Sequence, residues 1–280
     1  MCEFLKNLLS GSKGRTKPQI HIEQIFTLGL DMAEKVVNNV KHVSGNLEDS
    51  AYKSTLFAFF LKSYKTYQAV IMLWRAGFPE DAFMLVRTLF EIRLQVRYMS
   101  EDPRARVRLF LEHDPVLRYK RYLRLKKEGM HDVVAGIECH QQELSELEQH
   151  YNEYKNNYAS SNTWWGQNIE WLAKHFGEDT YWKYLTVYWM QSSLIHSNVT
   201  FAKQYLQEDS KGQIRGHCYP SVSHDAKAAY EATAYFLEVA NQMAIDFGFG
   251  EYAKASSEQF VELCKELAKE RRENDEKLFQ

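Results

Sequence analysis

Residues 83–98 read FMLVRTLFEIRLQVRY, and this stretch decides the fold. It contains neither proline nor glycine, and its apolar residues recur at the spacing of three and four residues that is typical of a helix. On a helical wheel, one stripe holds Phe83, Arg87, Glu91, Leu94 and Tyr98. The opposite side holds Leu85, Leu89, Ile92 and Val96. A helix that is apolar on both sides is typically a buried central helix. The stretch therefore predicts an all-α fold organised around this helix.

The two charged residues of the first stripe, Arg87 and Glu91, need an explanation of their own. They lie four residues apart, but the arginine precedes the glutamate, which is the less favourable order for an isolated helix. Because an unpaired charge among apolar neighbours is costly, we expect the two side chains to be paired. Two interpretations stay open: an internal ion pair that fixes the packing, or charged groups that line a functional cavity.

Outward from this helix, capping and breaking residues divide the chain into further helices. Pro18 opens the first helix, and Asp102-Pro103 reads as an N-cap followed by the first helical residue. The predicted helices cover about 18–45, 49–76, 80–100, 103–129 with a kink near Pro115, 132–157, 164–177, 178–197, 223–247 and 252–278, and a long loop covers 208–222. No segment has the period of a strand. The sequence predicts an all-α, multi-helix bundle of roughly nine to ten helices.

The predicted domain organisation follows the same boundaries. We expect a flexible N-terminus at 1–17, a helical bundle domain at 18–248, and a charged C-terminal helix at 249–280 that packs on the bundle or extends from it. Residues 56–74 are rich in aromatic and aliphatic side chains, but Lys62 and Lys65 interrupt them, so no membrane span is expected.

Composition limits the classes of protein. The formal net charge is −2, which gives no global attraction to nucleic acid. The four cysteines are widely spaced and form no CxxC motif, a usage typical of a reducing compartment. No secretion signal is recognised at the N-terminus. These features predict a cytoplasmic protein, with a homodimer as a candidate assembly.

Charge is unevenly placed in the middle of the chain. Residues 103–127 hold nine arginines or lysines, whereas residues 131–153 hold six acidic residues and no arginine or lysine. One interpretation is a helical hairpin whose arms attract each other across their exposed sides. The other is that the basic segment 103–127 binds the phosphates of RNA or of a nucleotide.

The seventh predicted helix supplies a second set of candidate residues. On a helical wheel, one face of this helix holds Trp182, Leu185, Trp189, Ser192, Ser193 and His196. Tyr188 lies at the edge of this face, and Asn198 follows as a candidate C-terminal cap. His196 in the last turn is either a structural histidine or a group that exchanges protons in a site shared with Arg87 and Glu91.

The predicted site combines both helices. Its candidate catalytic residues are Arg87, Glu91 and His196, and its candidate ligand-binding residues are Tyr98, Tyr188, Ser192, Ser193 and Asn198. No metal or cofactor is expected. A di-iron bundle would need two Glu-x-x-His pairs, and a zinc site would need a second half for Cys139-His140 or His217-Cys218. Phosphate-loop and dinucleotide-binding glycine motifs do not occur.

Two of these segments carry a resemblance to a known family. Residues 87–91 resemble an Arg-Ser/Thr-Leu-x-Glu helix, and Trp165, Tyr181 and residues 192–196 resemble a Trp…Tyr…Ser-x-x-Ile/Val-His ending. Both occur in a widespread family of bacterial helical proteins of unknown function. The resemblance covers about residues 50–245. It implies an α-helical fold with these two helices as its characteristic elements.

The family is also distantly similar to the HEPN superfamily of helical bundles, which implies a HEPN-like core. That superfamily includes metal-independent ribonucleases, in which an arginine and a histidine four to six residues apart act on the scissile phosphate, and nucleotide-binding members without catalysis. Here the corresponding positions before His196 are Trp189, Met190 and Gln191, so this arginine is missing. A catalytic site would have to be composite, with Arg87 reaching His196 from another helix.

Two functions are therefore weighed. The first is a non-enzymatic sensor, interaction or small-ligand-binding module with a buried Arg-Glu-His cluster. The alternative, implied by the resemblance, is a HEPN-like metal-independent ribonuclease or nucleotide-binding protein of a phage-defence or mobile-element system.

Overall fold

The structure, a computed structural model, describes residues 17–40, 47–158, 163–195, 206–208, 212–216 and 226–278. Its helices are α1 (Lys17–Asn39), α2 (Leu47–Arg75), α3 (Pro79–Glu101), α4 (Pro103–Lys127), α5 (His131–Glu138), α6 (Gln141–Tyr154), α7 (Ile169–His175), α8 (Glu178–Lys183), α9 (Trp189–Ile195), α10 (Ala226–Asp246) and α11 (Glu251–Leu278). A 3-10 turn (Lys155–Tyr158) follows α6, and a π-helical turn (Tyr184–Tyr188) joins α8 to α9. The predicted all-α, multi-helix fold is confirmed.

Side-chain caps set two of the helix starts. The Asp102 carboxylate accepts a hydrogen bond from the backbone N–H of Ala105 at 3.2 Å, which confirms the predicted start of α4. The predicted start at residue 164 of the helix over 164–177 is wrong. Gly166 has a φ of +76°, which lies outside the range of a right-handed α-helix, and the Asn168 side chain instead caps α7 by accepting from the N–H of Trp171 at 2.8 Å.

The predicted single helix over 132–157 is two helices, α5 and α6, with a break at Cys139 and His140. The apolar side chains of both pieces pack on one small core, which contains Tyr119 and Tyr122 of α4. A break lets each short helix turn its own apolar side toward that core, and Gly136 weakens the helix just before it.

The predicted loop at 208–222 contains part of a short antiparallel hairpin. Strand β1 (Leu206–Glu208) pairs with β2 (Ile214–Gly216), with Gln207 opposite Arg215. Gly212 precedes β2 with a φ of +73°, a conformation that glycine adopts without strain. Gly45 and Ser223, the predicted end of the first helix and the predicted cap of the penultimate one, lie outside the described residues.

The described chain forms two compact units. The described residues of 1–44, 53–97 and 182–280 make up the first unit, and those of 45–52 and 98–181 make up the second. The predicted domain limits at 1–17, 18–248 and 249–280 remain predictions.

The core of the first unit is aromatic and tightly packed. Tyr67 of α2 is fully buried, stacks on Phe236 of α10 with ring centroids 4.7 Å apart, and donates a hydrogen bond to the Phe26 carbonyl at 3.2 Å. Its hydroxyl also lies 2.8 Å from Thr233 Oγ1. Gly29 of α1 faces the same ring, and a Cβ at that position would lie 2.4 Å from the Tyr67 hydroxyl. This close approach explains the glycine inside α1.

The second unit contains the helical hairpin of α4, α5 and α6. Helix α4 runs through Pro115 and ends at Lys127, near the predicted end at Gly129. Among the described helices of both units, none combines the length and the apolar character that a bilayer crossing requires.

Candidate functional site

A π-helical turn orients the candidate tyrosine. In residues Tyr184–Tyr188 the backbone is wound more widely, so that the N–H of Trp189 donates to the carbonyl of Tyr184, five residues earlier. The additional residue rotates all later side chains by about 100° relative to a continuous α-helix. Tyr188 is thereby buried and packs on Phe90 of α3, with ring centroids 5.5 Å apart.

Arg87, Glu91 and Tyr188 form a closed ring of hydrogen bonds. Arg87 Nε donates to Glu91 Oε1 at 3.1 Å, and Arg87 Nη2 donates to the Tyr188 hydroxyl at 2.7 Å. The Tyr188 hydroxyl in turn donates to Glu91 Oε1 at 2.8 Å. The Arg87 guanidinium also lies 4.5 Å from the centroid of the Tyr188 ring, a cation–π contact. The structure thus brings together three of the predicted site residues, and we call them the Arg87 cluster.

The Arg87 cluster is half-buried rather than sealed. The side chain of Arg87 is 22% exposed and that of Glu91 is 36% exposed. The two charges are thus less buried than expected for a central helix, because their stripe of α3 reaches the surface of its unit. Solvent, or a solute, has access to the charged edge of the cluster.

The Tyr188 hydroxyl is held in its protonated form. Burial raises its pKa well above the usual range, and the neighbouring Glu91 carboxylate raises the pKa further. A phenol with a raised pKa donates hydrogen bonds at neutral pH and does not act as a base. Its part in the cluster is to connect Arg87 and Glu91 and to fix their orientation.

The π-helical turn also changes which side chains of the predicted seventh helix are buried. The side chains of Trp182 and Trp189 are 66% and 60% exposed, and Leu185 between them is exposed as well. The buried face carries Tyr188 and Gln191 instead. A continuous helical wheel cannot show this, since the turn shifts the register in the middle of the segment.

The remaining predicted site residues fall into two groups. Ser192 lies in α9 and is half-buried, while the Ser193 side chain, His196 and Asn198 lie outside the described residues. Tyr98 belongs to the second unit, where its ring carries the Arg106 guanidinium at 3.7 Å and packs on Trp164 and His175. Its contacts are therefore different from those of the Arg87 cluster.

Sequence reasoning missed Arg93, the most deeply buried charged residue among those that the structure describes in the first unit. Its side chain is 2% exposed, and its Nη1 donates to Glu238 Oε1 at 2.5 Å. The guanidinium lies 4.7 Å from the ring centroid of Phe90 and 4.3 Å from that of Tyr235. The signal that could have found it is on α10, where Glu231, Tyr235 and Glu238 share one helical stripe in an alanine-rich sequence.

Ion pairs connect the basic and acidic segments of the second unit. Arg118 of α4 pairs with Glu143 of α6, and Lys126 of α4 pairs with Glu138 of α5 at 3.0 Å. Tyr122 donates a second hydrogen bond to Glu138 at 2.6 Å. These contacts support the hairpin interpretation of the charge pattern. Binding of RNA or of a nucleotide by segment 103–127 stays a prediction.

Within the described ranges, no group of three or more histidine, cysteine or acidic side chains is arranged to hold a metal ion. Cys139 and Cys264 are free thiols.

Comparison with known proteins gives one match. The model of a family described as "Family of unknown function (DUF5677)" matches residues 53–214, which include α3 and the π-helical turn. No curated protein and no solved structure matches the chain.

Proposed function

The chain belongs to the DUF5677 family of unknown function, and we propose that it is a non-enzymatic sensor or interaction module that binds a small polar ligand at the Arg87 cluster. His196, the residue after the described end of α9 and itself outside the described residues, completes the cluster in this proposal, with Ser192, Ser193 and Asn198 as further ligand contacts. The ligand carries an anionic group that Arg87 recognises. The proposal places the protein in the cytoplasm, in line with its free thiols.

The proposal rests on a cluster whose side chains are held in place while Arg87 keeps hydrogen-bond donors for a ligand. An arginine has five N–H donors, and two of them are engaged with Glu91 and Tyr188. The side chain is partly exposed, and in this proposal the ligand contacts the remaining donors. Tyr188 and Glu91 already hold the guanidinium in one orientation. Binding of a ligand therefore costs little further side-chain entropy of Arg87.

Binding is favoured over catalysis by the protonation of the cluster. The raised pKa of Tyr188 keeps its hydroxyl protonated, so this group does not accept a proton from a substrate. Glu91 accepts two hydrogen bonds on one oxygen. A proton-transfer mechanism would depend on Glu91 and on the predicted His196, whereas a binding role uses all three described groups as they are.

The experiment that separates binding from catalysis is incubation of the purified protein with labelled total RNA in the absence of metal ions. We expect the RNA to stay intact. Cleavage by the wild type that is lost in folded Arg87→Ala and His196→Ala proteins would replace the proposal with the HEPN-like ribonuclease.

A second measurement identifies the ligand class. Inorganic phosphate and AMP are titrated separately while the melting temperature is recorded, since a ligand that binds the folded state raises it. Both probes raise the melting temperature if the site recognises a small anionic group. A response to AMP alone would support the nucleotide-binding alternative, and no response to either would make the Arg87 cluster a structural ion pair.

A further inference from the structure

The bend that joins α4 to α5 exposes three large apolar side chains. Leu123, near the end of α4, is 39% exposed, Met130 in the bend is 48% exposed, and Val133 in the first turn of α5 is 46% exposed. The bend is tight, because Gly129 has a φ of +70° and the N–H of Met130 donates to the Leu125 carbonyl at 3.1 Å. All three side chains therefore lie within two helical turns of one bend. Exposed apolar side chains that are grouped in this way mark an interaction surface.

Basic side chains surround the same bend. Arg121, Arg124 and Lys127 follow one another at a spacing of three residues, so each is a neighbour of the next on the surface of α4. All three are exposed, and none of them pairs with a carboxylate of the described residues, whereas Lys126 pairs with Glu138 at 3.0 Å. The ion pairs within the hairpin thus leave these three cations available to a partner.

The acidic helix α6 leads away from this bend. Glu143 near its start pairs with Arg118, whereas Tyr154 at its end interacts with Arg108, which is farther from the bend. Residues 120–138 hold five arginines or lysines and three acidic residues, a formal charge of +2, although the whole chain has a formal charge of −2. The end of the hairpin is therefore basic on a slightly acidic protein, and it attracts negatively charged partners.

The combination of charge and apolar surface favours a lipid bilayer as the partner. The C-terminal end of α4 favours cations in its last turn, but this does not account for the exposed aliphatic side chains. Single-stranded nucleic acid is bound by cations together with exposed aromatic rings, and Tyr119 and Tyr122 of α4 are buried in the small core with α5 and α6. An anionic bilayer uses both features, because its headgroups attract cations and its interface accepts aliphatic side chains.

We propose that the bend between α4 and α5 docks on the surface of a bilayer that contains anionic phospholipids. The three cations contact the headgroups, and the three apolar side chains enter the boundary between headgroups and acyl chains. The contact is peripheral and reversible, and the cytoplasmic leaflet supplies the anionic lipid. The bend belongs to the second unit and the Arg87 cluster to the first, so this docking is independent of the anion site.

The test is sedimentation of the full chain with vesicles of phosphatidylcholine alone or of phosphatidylcholine mixed with phosphatidylserine. We expect the protein to sediment with the mixed vesicles and to stay in the supernatant with phosphatidylcholine alone. Because salt screens the attraction to the headgroups, the bound fraction should fall as the ionic strength is raised. No sedimentation with the mixed vesicles, or equal binding to both kinds of vesicle, would overturn the proposal.

Removal of the basic side chains assigns the binding to the bend. Each cation near an anionic surface strengthens binding about fivefold, so Arg124→Gln alone should weaken binding to the mixed vesicles by about that factor. The triple variant Arg121→Gln, Arg124→Gln and Lys127→Gln should bind them about a hundredfold more weakly. Wild-type affinity in the triple variant would contradict the assignment.

A matched triple variant controls for the change in total charge. Lys174→Gln, Lys254→Gln and Lys265→Gln remove three cations that are 53%, 81% and 68% exposed and that lie outside the hairpin. This protein should bind the mixed vesicles like the wild type. Equal losses in the two triple variants would show that only the net charge of the protein matters, and would overturn docking at the bend.

Two apolar positions test entry into the bilayer. Leu123→Gln together with Met130→Gln should weaken binding to the mixed vesicles at least about tenfold, because less apolar surface leaves water. The dependence on ionic strength should be unchanged, since the cations remain. Unchanged binding in this variant would contradict entry of the apolar side chains.

Labelled single-stranded RNA is the competing partner. We expect the RNA to bind the wild type no more tightly than it binds the triple variant that lacks the three cations of the bend. RNA binding that the triple variant loses, in a protein that does not sediment with vesicles, would make the bend a nucleic-acid surface and would overturn the proposal.

Discussion

The hydroxyl of Tyr188 donates a 2.8 Å hydrogen bond to Glu91, although the two residues lie 97 positions apart in the chain. Arg87 contacts both residues, so one tyrosine hydroxyl connects the two helices that carry the predicted site. The π-helical turn gives Tyr188 this direction, and its ring packs on Phe90. Through this hydroxyl, the ion pair within α3 is also connected to the π-helical turn that contains Tyr188.

The exposure of Glu91 limits what this link contributes to stability. Glu91→Ala should lower the free energy of unfolding by about 1 kcal/mol, because the side chain is 36% exposed and water replaces part of what is lost. Tyr188→Phe, which keeps the ring and removes the hydroxyl, should cost about as much. Urea unfolding measures both. A loss of about 3–5 kcal/mol in Glu91→Ala would mean that the pair is sealed from solvent.

Arg93 and Arg87 offer a matched comparison on one helix. Arg93→Ala should cost about 2–5 kcal/mol, since it leaves a cavity in place of a side chain that is only 2% exposed and removes two aromatic contacts and the ion pair with the partly exposed Glu238. Arg87→Ala should cost only about 1 kcal/mol. The midpoints of urea unfolding, with unchanged slopes, give the difference. Equal losses in the two variants would contradict the difference in burial described above.

Substitution of Gly29 tests the close packing around Tyr67, and Gly136, also inside a helix, is the control. Gly29→Ala should destabilise the protein by about 1–3 kcal/mol, because the new Cβ would lie 2.4 Å from the Tyr67 hydroxyl. Gly136→Ala, where a Cβ meets nothing within 4 Å, should be neutral or stabilise by up to about 1 kcal/mol. Thermal unfolding compares the pair. A stabilising Gly29→Ala would mean that α1 and Tyr67 are less closely packed.

Glu101 predicts an acid-dependent contribution to stability in the second unit. Burial alone would raise its pKa, but hydrogen bonds from Arg106 and His175 outweigh this and lower the pKa below the usual range of a glutamate. The contribution is therefore complete above the unfolded pKa and is lost as the pH falls through the lower, folded pKa. It should stay below about 1 kcal/mol, since the carboxylate is well exposed.

Melting curves recorded between neutral and acidic pH check this effect. Glu101→Gln should melt at a lower temperature than the wild type at neutral pH, and the difference should disappear in acid. A difference that is the same at both pH values would show that Glu101 acts through its packing rather than its charge.

The sequence predicts most of the helices because their ends are encoded locally. Asp102-Pro103 supplies a cap and a first helical residue, and both act as expected. The errors have two causes. Gly166 and Asn168 are local signals that outweigh the hydrophobic period and delay the start of α7. The two helices on either side of the break at Cys139 pack against residues of α4, which lie outside the segment itself. Packing between distant segments has no local signature.

The part of the Arg87 cluster that lies within one helix can be predicted from the sequence. The pairing of Arg87 with Glu91 follows from their spacing, and Tyr188 follows from the second motif. Arg93 was missed because a wheel shows which residues share a stripe but not which partner helix supplies the counter-charge. Its partner Glu238 lies 145 residues away on α10.

The most direct test of the account is titration calorimetry of inorganic phosphate against the wild type, Arg87→Ala and Arg118→Ala. Arg118 is also paired with a glutamate but lies in an exposed pair of the second unit, so it controls for the loss of a positive charge. We expect phosphate to bind the wild type and Arg118→Ala with the same affinity and to show no measurable heat with Arg87→Ala. Equal binding to all three proteins, or no binding to any of them, would contradict a ligand site at Arg87, Glu91 and Tyr188.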